Sequence, residues 1–142
     1  MSYPRYILVF LAVAIGAGLA VAAMEGRIST LGSAAQLVVP AMIAALIEGQ
    51  QFAKARCVAP DRPQIWNFAW IATGVATVLN LVLSYAAGGF LPEFGKLAIA
   101  SFGSQQFLIL LGIYAGAYLI CNRFFLSIGV STELSRSSRN EK

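Results

Sequence analysis

Four stretches without a charged residue, 6–24, 28–47, 63–92 and 97–122, take up most of the chain and constrain it more than any other feature. A helix rises about 1.5 Å per residue, so roughly 20 apolar residues are enough to cross the ~30 Å hydrocarbon layer of a bilayer. Each stretch is of that order. Of the 142 residues, 58% are hydrophobic and 11% charged, against about 25% charged in ordinary soluble domains. A soluble fold of this size would have little polar surface to show to water. The stretches are rich in Ala, Gly and Leu and lack the out–in alternation of barrel strands.

The expectation is therefore an all-α polytopic membrane protein. A single four-transmembrane-helix bundle would occupy 1–130, with spans at about 6–25, 34–55, 65–87 and 104–126. The ending "STELSRSSRNEK" is short, polar and charged, and residues 131–142 read as a disordered cytoplasmic tail.

Charge decides the orientation. With four spans, one side of the membrane receives Arg5, Lys54, Arg56, Arg62, Arg123, Arg136, Arg139 and Lys142, and the other only Arg27 and Lys96. Basic residues accumulate on the cytoplasmic side of bacterial inner-membrane proteins, so both termini are expected in the cytoplasm. The formal charge of +4 then reflects orientation and contact with anionic headgroups, and nucleic acid is not an expected partner. The first span also has the basic start, apolar middle and small-residue end of a secretory signal. Its apolar stretch is longer than the roughly 7–15 residues of such signals, which favours a retained anchor.

Aromatic residues fit the same frame. Tyr3 and Tyr6 open the first span, Trp66 and Trp70 open the third and Tyr85 closes it, as expected of rings that prefer the interfaces. Between spans three and four, "FLPEFGKLAIASFGSQQ" reads either as a short helix lying on the membrane surface or as a plain connection.

Within the membrane, Trp66, Trp70, Thr73, Thr77, Asn80 and Ser84 follow one another at steps of four and three and share one face of span three. This face is expected to pack by interhelical hydrogen bonds; a polar path for a solute is the alternative. Gly112 and Gly116 in span four, and Ala12, Gly16 and Ala20 in span one, have the spacing that lets helices approach closely. That contact is read first within the chain and second between two copies. Pro40 withdraws a backbone donor from span two, which predicts a kink.

Glu48 ends the second charge-free run. It shares a helix face with Ala41, Ala44, Ala45 and Phe52, the side suited to approach another span. Lys54 and Arg56 fall outside the three- and four-residue spacing at which helix neighbours meet, so its partner must come from another span. Arg123 is the preferred candidate because a guanidinium grips a carboxylate with two hydrogen bonds. Arg5 is the next, with Asn67 and Asn122 as neutral alternatives.

No catalytic, cofactor-binding or metal-binding residues are expected. The chain has no histidine, Cys57 and Cys121 are too few for a thiolate metal site, and nothing resembles a nucleophile set beside a base. Both cysteines should be free thiols on the cytoplasmic side.

The segments "VVPAMIAALIEGQQFA", "RPQIWNFAW" and "GKLAIASFGSQQFLILLGIYAGAYLICNRFFLSIG" together resemble a family of small, four-span bacterial inner-membrane proteins of unassigned function. "EGQQFA" and "NRFF" are the most distinctive pieces. The resemblance covers nearly the whole chain and implies an inner-membrane location, without an activity or a cofactor. The functional expectation is a non-enzymatic membrane protein that acts through helix contacts with itself, as a homo-oligomer, or with a membrane-protein partner. A small transporter or channel for an ion or small solute is the alternative.

Overall fold

The computed structural model describes residues 1–23, 31–86 and 101–140, and among these the only regular elements are four helices. They are α1 (Tyr3–Ala23), α2 (Leu31–Arg56), α3 (Arg62–Ala86) and α4 (Gln105–Asn140). Three contain windows long and apolar enough to cross a membrane: Tyr3–Ala20 in α1, α3 and α4. The surface-helix reading of the segment before α4 falls largely outside the described residues.

Local chemistry sets the described helix ends. The Ser2 carbonyl accepts from the Tyr6 N–H at 3.1 Å and opens α1. At the end of α2, Cys57 adopts a left-handed φ of 52° and donates its N–H to the Ala53 carbonyl at 2.8 Å, a turn that closes a helix. Pro60 follows, with Asp61 before α3 accepting the first helical bond from Ile65 at 3.0 Å. The chain therefore reverses within residues 57–61. Gly103, with φ of 82°, completes a turn in which the Ser104 N–H meets the Ser101 carbonyl at 2.9 Å. The Ser104 hydroxyl then caps α4 by accepting the Phe107 N–H at 3.2 Å.

In the bundle α4 packs most extensively against α2 and also against α3, while α1 packs against α2 and, more slightly, α3. The core sets large rings into alanine-lined faces. Tyr6, Phe10, Phe68, Tyr118 and Leu126 fill the space opposite Ala41, Ala44, Ala45, Ala72 and Ala76. The rings interlock: Tyr6 meets Phe68 edge-on at 5.8 Å, Phe10 meets Tyr118 edge-on at 6.4 Å, and Tyr3 stacks on Phe68 at 6.1 Å. Small residues let helices approach, and aromatic rings supply the contact area.

Several expectations change here. Gly112 and Gly116, whose spacing suits a packing contact within the chain, are both exposed, with open space where a Cβ would stand. Ala12, Gly16 and Ala20 of α1 also face outward. The close crossing is between Gly49 of α2 and Gly129 of α4. A Cβ on Gly49 would run into the Leu126 carbonyl oxygen, and one on Gly129 into that of Leu46. The signal for it was the Ala41, Ala45, Gly49, Ala53 series at steps of four, all of them buried. Spacing marks which small residues could meet a helix; only docking says which do.

Tyr6, expected at the interface, is fully buried, because its hydroxyl has a partner inside the bundle. Nor is 131–140 a disordered tail: α4 runs unbroken to Asn140. The Lys54 ammonium stands 3.9 Å from Glu133, tying the extension to the end of α2. The serines, which disfavour helix interiors when they compete for backbone, turn back onto their own helix: Ser131 donates to the Ile128 carbonyl and Ser138 to that of Ser135.

Candidate functional site

The face of α2 predicted to approach another span is the buried one: Ala41, Ala44, Ala45, Glu48 and Phe52 all lie inside. A bare carboxylate there would be costly, and the structure supplies three donors. Arg5 of α1 approaches with its Nε on Oε1 and its Nη2 on Oε2, the latter at 3.1 Å. The backbone N–H of Ser2 donates to Oε2 at 2.9 Å. The guanidinium grips the carboxylate as a fork, and the first residues of α1 close over it. Glu48 is fully buried while the Arg5 side chain keeps 40% of its surface exposed, so the pair sits at the rim of the bundle.

The partner is thus Arg5 and not Arg123. The depth of Arg123 suits the role, but its angle does not. Its neighbour Asn122 points into the bundle, and one residue is about 100° of helix rotation, which turns Arg123 outward. There its guanidinium lies over the Trp66 ring, 4.5 Å from the centroid. Asn122, considered as a neutral partner for Glu48, bonds elsewhere.

Next to this pair, three helices are joined by side chains. The Tyr6 hydroxyl donates to Asn122 Oδ1 at 2.8 Å, and Asn122 Nδ2 donates to Thr73 Oγ1 at 3.4 Å. Deeper still, Asn80 Nδ2 donates to the Tyr118 hydroxyl at 2.9 Å. The predicted polar face of α3 therefore divides. Thr73, Asn80 and Ser84 are buried, whereas Thr77 is half-buried and returns its hydroxyl to the Thr73 carbonyl at 2.8 Å. Trp66 and Trp70 lie outside it and are exposed. The buried face centres on Ala69, Ala72 and Ala76, and the polar stripe runs along its edge. Ser84 Oγ is buried without a hydrogen-bond partner among the described residues.

Sequence reasoning missed Tyr6 and Tyr118 as polar members of the interior. The available signal was spacing: Tyr118 and Asn122 stand four apart on α4, which places a phenol and an amide on one face. Chemically, this interior is a set of neutral donors and acceptors closed on one another, with the ion pair at one end. Cys57 is exposed and Cys121 half-buried, both free thiols. Among the described residues, no three His, Cys, Asp or Glu side chains stand together as a metal-holding group. No family model matches the chain, and no curated protein or solved structure matches it.

Proposed function

We propose that this is a non-enzymatic protein of a bacterial inner membrane, with four spans and both termini in the cytoplasm, that acts through helix contacts with a second copy or a membrane-protein partner. The observation that carries this reading is the contrast between interior and surface. Interior amides and phenols are used in binding α1, α3 and α4 to one another, while Gly112 and Gly116 lie open on the outer face of α4. Small residues on a lipid-facing surface let a further helix come close.

Four spans are supported by the placement of α2. Glu48 near its end meets Arg5 near the start of α1, so α2 returns to the level from which α1 sets out. The 57–61 reversal starts α3 from that same level. The charge-free run 28–47 has the length a span requires. The clustering of basic residues at that end supports a cytoplasmic assignment. The transporter reading draws on the same polar stripe, but Thr73 and Asn80 are engaged with Asn122 and Tyr118 of α4 and Thr77 with its own helix, and among the described residues only Ser84 Oγ is left over.

Single cysteines decide between these readings. In a chain with Cys57 and Cys121 replaced by serine, Gly116→Cys should form a disulfide or short cross-link in native membranes, and Leu79→Cys, on the half-buried side of α3, should not. Absence of cross-linking along the outer face of α4, together with a liposome flux abolished by Asn80→Leu, would favour the transporter.

A further inference from the structure

Beside the Arg123–Trp66 pair, a groove opens on the outer surface between α3 and α4, lined by Trp66, Leu119, Ile120, Arg123, Phe124 and Ser127. We infer that this groove binds one anionic phospholipid, its phosphate on Arg123 and an acyl chain along Ile120, Leu119 and Phe124. The inference rests on the membrane-spanning reading and not on which side of the membrane this end faces.

Charge complementarity is the first argument. The ion pairs among the described residues join Arg5 to Glu48 and Lys54 to Glu133, so Arg123 is a cation without an acidic partner there. Its guanidinium lies against the face of Trp66. A cation–π contact with one ring face uses none of the five guanidinium N–H groups as a conventional hydrogen bond, which leaves them available to a phosphate. The ring contact also restrains the side chain before the ligand arrives, which limits the entropy lost on binding.

Depth is the second argument. Asn122, next to Arg123, reaches Tyr6, one residue from Arg5, so Arg123 is level with the ion pair at the end of the bundle. That is where a headgroup phosphate sits when the apolar part of the bundle fills the bilayer. Leu119 and Ile120 lie about one turn toward the bilayer centre, on the track of an acyl chain from that phosphate. Ile120 and Phe124 are 71% and 58% exposed.

The test uses the full chain in mild detergent, with phosphatidylglycerol or phosphatidylcholine of identical acyl chains added and bound lipid counted by native mass spectrometry. The wild type should retain one phosphatidylglycerol in preference to phosphatidylcholine. Arg123→Gln should weaken phosphatidylglycerol by roughly tenfold or more, the loss expected for one charge-assisted contact, and leave phosphatidylcholine unchanged. Ile120→Trp alters an outward position the fold does not use and should weaken both lipids, which keeps the test decisive if Arg123→Gln does not fold. Equal retention of the two lipids by the wild type, undiminished phosphatidylglycerol binding in folded Arg123→Gln, or displacement of the lipid by millimolar inorganic phosphate alone would overturn the proposal. A second copy in place of lipid, seen as a dimer lost on Ile120→Trp, would overturn it too. Failure of the membrane-spanning reading is recognised separately, as a chain that leaves the membrane without detergent.

Discussion

Gly49 of α2 and Gly129 of α4 cross with each glycine set against the other helix's backbone, Gly49 at the Leu126 carbonyl and Gly129 at the Leu46 carbonyl. Each Cα–H then faces a carbonyl oxygen, a contact that recurs where helices cross closely. This crossing belongs to the largest helix–helix interface of the bundle, α2 on α4, and stands one residue from Glu48 and three from Leu126.

Because the obstructing atoms are backbone, neither helix can yield by changing a rotamer. Gly49→Ala and Gly129→Ala are each expected to lower stability in detergent by about 1–3 kcal/mol, the cost of overpacking a close interface. Gly112→Ala and Gly116→Ala, which meet open space, should stay within about 0.5 kcal/mol. Thermal or denaturant unfolding of the four variants is the measurement, and equal losses in both sets would refute the crossing.

The Glu48–Arg5 pair predicts a specific pattern of non-additivity. Glu48→Gln leaves Arg5 able to reach water, whereas Arg5→Gln leaves a fully buried carboxylate with the Ser2 N–H as its remaining donor. Arg5→Gln should therefore be the more damaging change. The double mutant should lose less than the sum, with a coupling of about 1 kcal/mol, while Glu48→Gln with Arg123→Gln should add within about 0.5 kcal/mol. A coupling at Arg123 and none at Arg5 would contradict the geometry.

Asn122 joins α1 to α3 through Tyr6 and Thr73, whereas Asn80 makes one bond among the described residues, to Tyr118. Interhelical hydrogen bonds in membrane proteins contribute about 0.6 kcal/mol on average and up to about 1.7. Asn122→Leu should thus destabilise more than Asn80→Leu or Tyr6→Phe in the same unfolding assay. The reverse order would mean that the Tyr6–Asn122–Thr73 chain is not formed.

Orientation can be read with the native thiols. Cys57 is exposed beyond the end of α2 and Cys121 is half-buried inside α4. A membrane-impermeant maleimide should label Cys57 quickly in inside-out vesicles and spare it in intact spheroplasts, with Cys121 slow in both. Rapid labelling of Cys57 in spheroplasts would reverse the assignment drawn from the basic residues.

Much of this arrangement is legible in the residues themselves, because a bilayer imposes one-dimensional rules. Charge-free length predicts four helices, although α4 runs on past its expected span to Asn140, and steps of three and four identify the alanine face that carries Glu48. These follow from helix geometry and from the cost of burying charge, and they need no knowledge of neighbours. The relations among helices follow a different rule. Arg5 and Arg123 stand at the same depth, and the choice between them rests on rotation: Asn122 turned inward carries Arg123 onto Trp66 and leaves the carboxylate to α1. Gly112, Gly116 and Gly49 all offer small surfaces, yet only Gly49 meets a backbone with a glycine opposite. The helical extension to Asn140 carries Glu133 to within reach of Lys54. Each of these outcomes depends on the angular position of one helix against another, which is set by the packing of rings into alanine faces across the bundle, so the sequence by itself determined the helices and their buried faces, and the tertiary structure decided which residues meet.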